Sequence, residues 1–305
     1  MPSLDDHGKL AAVVIPFYLP ILVISFILVL RHGFRRESGW IFIFIFSIVR
    51  VLGGILEIAA QLERPVNINL YIAAAILEAA GLSPLLLATL GFVQTVGKKA
   101  FGESTLLTRG YRLLGILGAV ALILSIVGGS DATSTKPSEL SQSNTYRHVG
   151  SILFVVLYVL LIAVHVACWS CASRLTKQRR TLLVAISSAL PFLGIRVLYS
   201  VLSSYSGSLL SSAESSTNSS LSKFNIINGD WRIYLAMGLI MEYVVVLVYT
   251  IAGSRIPLHD DYSDDDLLSP KEPVPLRQTD RLQNRQVAYP LQAYAVPSTM
   301  GHNEA

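Results

Sequence analysis

The chain predicts an all-α, polytopic membrane protein with seven transmembrane helices, its N-terminus outside and its C-terminus in the cytosol. Three observations carry that expectation. Of 305 residues, 52% are hydrophobic and 14% charged, and the mean hydropathy is +0.54, more apolar surface than a water-soluble core needs. The apolar residues fall into separate runs of about 20, the length that crosses about 30 Å of hydrocarbon at 1.5 Å per residue. Basic residues are concentrated in alternate connections between those runs, as cytosolic loops require.

Seven runs meet the length, at 10–30, 40–60, 68–95, 111–128, 148–171, 181–202 and 231–252. Each must be helical, because hydrocarbon offers no partner to backbone N–H and C=O groups and a helix satisfies its own. Asp5 and Asp6 precede the first run where a signal peptide carries positive charge, and the run is longer than a signal core, so it is read as a retained span. The fourth is the shortest and carries Arg112 near its start. Pro16, Pro20, Pro84 and Pro191 each remove a helical hydrogen bond and are expected kinks. Gly53, Gly54 and Gly81 permit close helix approach.

Arg31, Arg35 and Arg36 follow the first run. Lys98, Lys99, Arg109 and Arg112 lie between the third and fourth, and Arg174, Lys177, Arg179 and Arg180 between the fifth and sixth. With those after the last run, one side holds 16 Lys and Arg; the other holds 6, namely Lys9, Arg64, Lys136, Arg147, Lys223 and Arg232. Odd-numbered runs therefore point inward. The formal net charge of +4 belongs to this topology, and no nucleic-acid partner is expected. The partners expected are the lipid bilayer of the plasma membrane or a secretory-pathway endomembrane, and an unidentified small-molecule or lipid ligand.

The connections assigned to the outside are polar, and 203–230 holds 11 Ser in 28 residues. It includes Asn218-Ser219-Ser220, an acceptor triplet for N-glycosylation. The chain divides into a short N-terminal segment (1–9), a transmembrane domain (10–253) and a polar cytosolic tail (254–305) rich in Asp and Pro, which is expected to be disordered. Within the tail, Ser263 precedes three Asp residues, a setting that suits an acid-directed kinase as well as a plain solubilising segment.

Charged side chains inside the runs are the candidate ligand or ion pathway, since each is costly in hydrocarbon even on lenient scales, by about 2.5–3.5 kcal/mol at the centre. They are Arg50 and Glu57 in the second run, Glu78 in the third, Arg196 in the sixth and Glu242 in the seventh. Arg50 and Glu57 are two helical turns apart and share a face. Depth along each run puts Arg50, Glu78 and Glu242 near the midplane, and Glu57 with Arg196 in the outer half. Arg50 is expected to be neutralised by Glu78 or Glu242, Arg196 is within reach of Glu57, and an acid left over is the candidate proton or cation carrier. Such pairs serve equally well as plain helix-packing locks.

The pattern R-V-L-x-x-[IV]-L occurs at Arg50 and again at Arg196, and each Arg-bearing run is followed by one with a mid-span Glu. This reads as a parallel repeat of three helices, one linker helix and three helices, the arrangement of an alternating-access carrier.

Catalytic chemistry finds no constellation, and no cofactor or metal site is expected. His165 is the one His clearly within a run, no G-x-S-x-G stands in the chain, and no Lys lies within the seven runs to hold retinal as a Schiff base. Cys168 and Cys171 stand at the cytosolic end of the fifth run, as palmitoylation sites or as two small apolar residues, and not in the setting of a redox pair.

The blocks from Trp40 to Gly54, Glu78-Ala79-Ala80-Gly81-Leu82-Ser83-Pro84-Leu85-Leu86, Arg196-Val197-Leu198-Tyr199-Ser200 and Met241-Glu242-Tyr243 resemble an uncharacterised family of filamentous-fungal seven-helix membrane proteins. The resemblance covers about 10–253 and implies a fold and a membrane location but no activity. More distantly the topology resembles fungal lipid-translocating exporters of the RTA type, and seven-helix receptors, although Gln94-Thr95-Val96-Gly97-Lys98-Lys99 at the inner end of the third run lacks D-R-Y and the seventh lacks N-P-x-x-Y. Three classes of function are expected in this order: a carrier or exporter of a small or lipid-like molecule, a receptor-like sensor coupled to a cytosolic partner, and a structural membrane protein.

Overall fold

A computed structural model describes residues 5–32, 39–63, 67–101, 105–131, 137–206, 220–225 and 229–255. The triplet at Asn218 and the tail beyond Arg255, with Ser263 and the expectation of disorder there, lie outside the described residues. Every regular element among those described is helical: α1 Asp6–His32, α2 Trp40–Leu62, α3 Ile68–Ala80, α4 Leu82–Phe101, α5 Thr105–Ser130, α6 Pro137–Ser170, α7 Lys177–Ser204, α8 Trp231–Ile233 and α9 Met241–Arg255. Short 3₁₀ turns occupy Ala172–Arg174 and Ser220–Phe224, and a π-helical stretch, Tyr234–Ile240, joins α8 to α9. These make seven membrane-length apolar spans among the described residues, one from α3 with α4 and one from α8 through α9. The protein is a membrane-embedded helical bundle.

Local chemistry sets the ends and breaks. Gly39 starts α2 with φ +72°, and a Cβ there would lie 2.7 Å from both the Ala88 carbonyl and the Phe92 ring, so glycine alone lets α2 begin against α4. The Asn67 side chain caps α3 by accepting from the Asn69 N–H at 3.1 Å, and Asp230 caps α8 in the same way through Arg232 at 3.0 Å. The kink expected at Pro84 takes the form of a break at Gly81 between α3 and α4, since proline has no N–H to offer the Ala80 carbonyl one turn back. Pro16, Pro20 and Pro191, in contrast, sit inside continuous helices with their rings on exposed faces. Several helices outrun their apolar runs: α1 begins at Asp6, α5 at Thr105 and α6 at Pro137.

The central element is α4, buried on all sides from Leu82 to Val93 and packed against α2, α5, α6 and α7. Helices α1, α5 and α6 turn large apolar side chains such as Phe17, Leu113 and Val166 outward, the composition a lipid-facing surface needs. Near the start of α2 the interior holds a layer of aromatic rings: Trp40 stands 4.5 Å from Phe92 and Phe92 stands 4.8 Å from Tyr249, between ring centroids. Tyr249 shares a hydrogen bond of 2.9 Å with Thr89, so its hydroxyl is satisfied there. A Cβ on Gly253 would collide with the Trp40 ring, which fixes α9 against the start of α2.

Candidate functional site

The Trp40 contacts set a level from which the interior charges can be located. Trp40 touches Phe92 and Gly253; ten residues along α2 from Trp40 is Arg50, eleven back along α4 from Phe92 is Gly81, and eleven back along α9 from Gly253 is Glu242. At 1.5 Å per residue all three lie in one layer about 15 Å away. A Cβ on Gly81 would stand 3.5 Å from the Arg50 guanidinium, so the backbone break passes directly over that side chain. Glu78 is one turn beyond Gly81, and Arg196 enters the layer from α7.

The four side chains close a ring of alternating charge. Arg50 donates from Nη1 to Glu78 Oε2 and from Nη2 to Glu242 Oε2, and Arg196 donates from Nε to Glu242 Oε1. Arg196 Nη2 completes it, donating to Glu78 Oε1 at 3.4 Å and to the Glu78 carbonyl at 3.3 Å. Each arginine thus meets both glutamates. The break at Gly81 leaves the last carbonyls of α3 in need of donors, and Arg196 supplies one. Glu242 is fully buried, Arg196 and Arg50 nearly so, and Glu78 keeps 12% of its side chain exposed. Tyr234, in the π-helical stretch, donates its hydroxyl to Glu78 Oε2 at 2.8 Å. The Phe46 ring lies 5.5 Å from the Arg50 guanidinium carbon and the Tyr199 ring 5.4 Å from that of Arg196, so each cation also faces an aromatic quadrupole.

Two expectations change here. Arg196 does not pair with Glu57: a side chain on a helix leans toward that helix's N-terminus, which carries the Arg196 head toward the ring and away from the end of α2. Nor is one midplane glutamate left over, because Glu78 and Glu242 are both engaged. The surplus acid is Glu57, about 10 Å beyond Arg50 along α2, where it accepts from Gln61 Nε2 at 3.2 Å.

Two cavities approach the ring from the end of the bundle that carries the N-terminus. One, of about 60 Å³, is lined by His7, Arg50, Glu57, Tyr71, Glu78 and Tyr234 among others. The second, of about 40 Å³, reaches Arg196 between Arg147, Ser151 and Ser203. Each has room and polar partners for a few waters. Toward the opposite end the ring rests on Phe46, Phe92, Tyr249 and Trp40, all buried, and a third cavity of about 250 Å³ lies at that end of the bundle, lined by Phe42, Leu90, Gln94, Thr108, Tyr111 and Arg112 among others.

Elsewhere, Cys168 is buried against Gly97, Cys171 is half-buried, and both are free thiols. His165 shares a hydrogen bond of 2.8 Å with Ser187 and takes one of 3.1 Å from Trp169 Nε1. Among the described residues no group of three or more His, Cys, Asp and Glu is placed to hold a metal. The sequence reading missed Tyr234, Phe46 and Tyr199, although helical spacing carried a signal for the last two. Phe46 precedes Arg50 by four residues and Tyr199 follows Arg196 by three, whereas Tyr234 reaches Glu78 from another helix.

Fold and site together define a seven-span membrane protein with a closed ring of four ion-paired side chains in its interior. The chain belongs to a family described as a domain of unknown function, DUF7702, whose model matches residues 4–257 and so takes in every described helix. No curated protein and no solved structure matches it.

Proposed function

We propose that the protein is a carrier of a small or lipid-like molecule and that the ring is its gate. The observation that carries this reading is the position of the ring, between two polar cavities and a layer of buried aromatic rings, held jointly by α2, α3, α7 and α9. An apolar core of the same volume would hold four helices at least as well, because desolvation offsets most of the attraction within a buried ion pair. Its use is therefore reversibility: once water or a polar solute enters the layer, the charges are resolvated and the pairs part at small net cost. Arg50 with Glu242 and Arg196 with Glu78 join the two halves of the proposed repeat, so opening the ring frees one half to rock against the other.

The test is movement in vesicles. The purified protein, reconstituted in liposomes, is expected to move at least one class in a panel of labelled lipids and amphiphilic solutes, and Glu242→Gln to slow that movement sharply at equal folded amount. A ligand that binds without crossing would replace the carrier with the sensor reading. The same reading puts the N-terminus outside, on the basis of the 16 to 6 basic asymmetry. A glycosylation and protease-protection map is expected to find 203–230 outside and the tail inside, and the reverse would overturn this orientation.

A further inference from the structure

We infer that Glu57 is a proton-binding site, reached from the N-terminal end of the bundle through the cavity it shares with the ring. The inference rests on the cavity's geometry and stands whether or not a solute is carried. Of the five charged groups read as lying deep in the apolar runs, three are carboxylates and two guanidiniums, and the ring uses both guanidiniums and two carboxylates, Glu78 and Glu242. Glu57 is left half-buried, with the neutral amide of Gln61 as its hydrogen-bond partner among the described residues.

The groups facing it come from each packed element. His7 approaches from α1, with Asp5 just before that helix donating its backbone N–H to Gln61 at 3.1 Å. Arg50 lies two turns away on α2 itself, Tyr71 and Glu78 stand on α3, and Tyr234 on the π-helical stretch. Of the two basic side chains that line the cavity, Arg50 is committed to the ring, and His7 is held at the mouth, its Nε2 3.4 Å from the Gly229 carbonyl and its ring 6.0 Å from that of Tyr234. A carboxylate in such a place is relieved of its desolvated charge by a proton.

A metal cation fits less well, because calcium takes 6–8 oxygen ligands and magnesium a near-ideal octahedron. The cavity offers one uncommitted carboxylate and two phenols in about 60 Å³. That volume admits the few waters a proton needs to travel. Arg50 Nε, which finds no acceptor among the described residues, belongs to the same polar lining. The step is a proton transfer from a hydronium in the cavity to a Glu57 carboxylate oxygen, leaving water, with no other bond made or broken. It removes the unpaired negative charge that shares the cavity with Glu78, the least buried member of the ring, so a protonated Glu57 favours the closed ring and an ionised one loosens it.

The full-length protein in lipid nanodiscs provides the test, with an apolar carbodiimide, which modifies protonated carboxyl groups, as the probe and peptide mass spectrometry as the readout. Glu57 is expected to be modified, about tenfold faster per unit fall in pH while it is mostly ionised, with Glu78 and Glu242 protected in their ion pairs. In parallel, infrared difference spectra between alkaline and acidic buffer are expected to contain one carboxyl band that Glu57→Gln removes. Modification of Glu57 at a rate independent of pH, or none at all, overturns the proposal. Should Glu57→Gln fail to fold, the labelling of the wild-type protein decides alone.

Discussion

Glu242→Gln is expected to destabilise the protein by about 3–5 kcal/mol, the usual consequence of removing one partner from a buried ion pair. Glu242 is fully buried and uses both oxygens, one on Arg50 and one on Arg196, so the amide leaves two guanidiniums facing a single carboxylate. An arginine cannot shed its proton at any accessible pH, so the surplus charge stays in the interior. Arg50→Leu strands an acid instead, and a carboxyl can neutralise itself by taking up a proton, which makes this change the milder one. The double variant Arg50→Leu with Glu242→Gln leaves Arg196 and Glu78 as a neutral pair. It is expected to recover at least about 1 kcal/mol relative to the sum of the single changes. Unfolding midpoints in detergent for the four proteins of that cycle measure the coupling, and strictly additive effects would show that the ring does not act as a unit.

The spans were legible because a bilayer imposes its length on each apolar run, whatever packs against what. Arg50 was legible as a residue needing a carboxylate for the same reason: a charge at that depth admits few solutions. Its double engagement with Glu78 and Glu242 was not, since a linear reading fixes depth along one helix and says nothing of the azimuth at which neighbouring helices present their side chains. Arg196 shows the limit most plainly. Counting residues puts its Cα in the outer half, but its long side chain leans back toward the start of α7 and lands in the ring. The π-helical stretch before Glu242 left no signature in apolar periodicity; it holds Tyr234, which reaches Glu78. The break at Gly81 was half legible. Pro84 announced a lost hydrogen bond, but the close approach of Gly81 to the Arg50 guanidinium depends on how α2 crosses that helix.

Trp40→Ala is expected to cost about 3 kcal/mol, from the aromatic layer on which the ring rests. Trp40 is completely buried, between the Phe92 ring at 4.5 Å and Gly253, whose missing Cβ makes room for it. Truncation to a methyl group therefore leaves a void lined by Phe92, Gly39 and α9, which the backbone of three different helices would have to move to fill. In a bilayer the separated helices remain in an apolar solvent, so transfer from water contributes little and the loss is one of packing contacts. That places the expected value at the lower end of what aromatic-to-alanine changes cost in soluble cores. Trp40→Phe keeps a ring against Phe92 and is expected to restore more than half of the difference. Thermal unfolding in detergent decides between these outcomes. If Trp40→Ala instead melts with the wild-type protein, the aromatic layer is not the tightly packed plug beneath the ring, and closure of the cavities toward that end depends on the ion pairs alone.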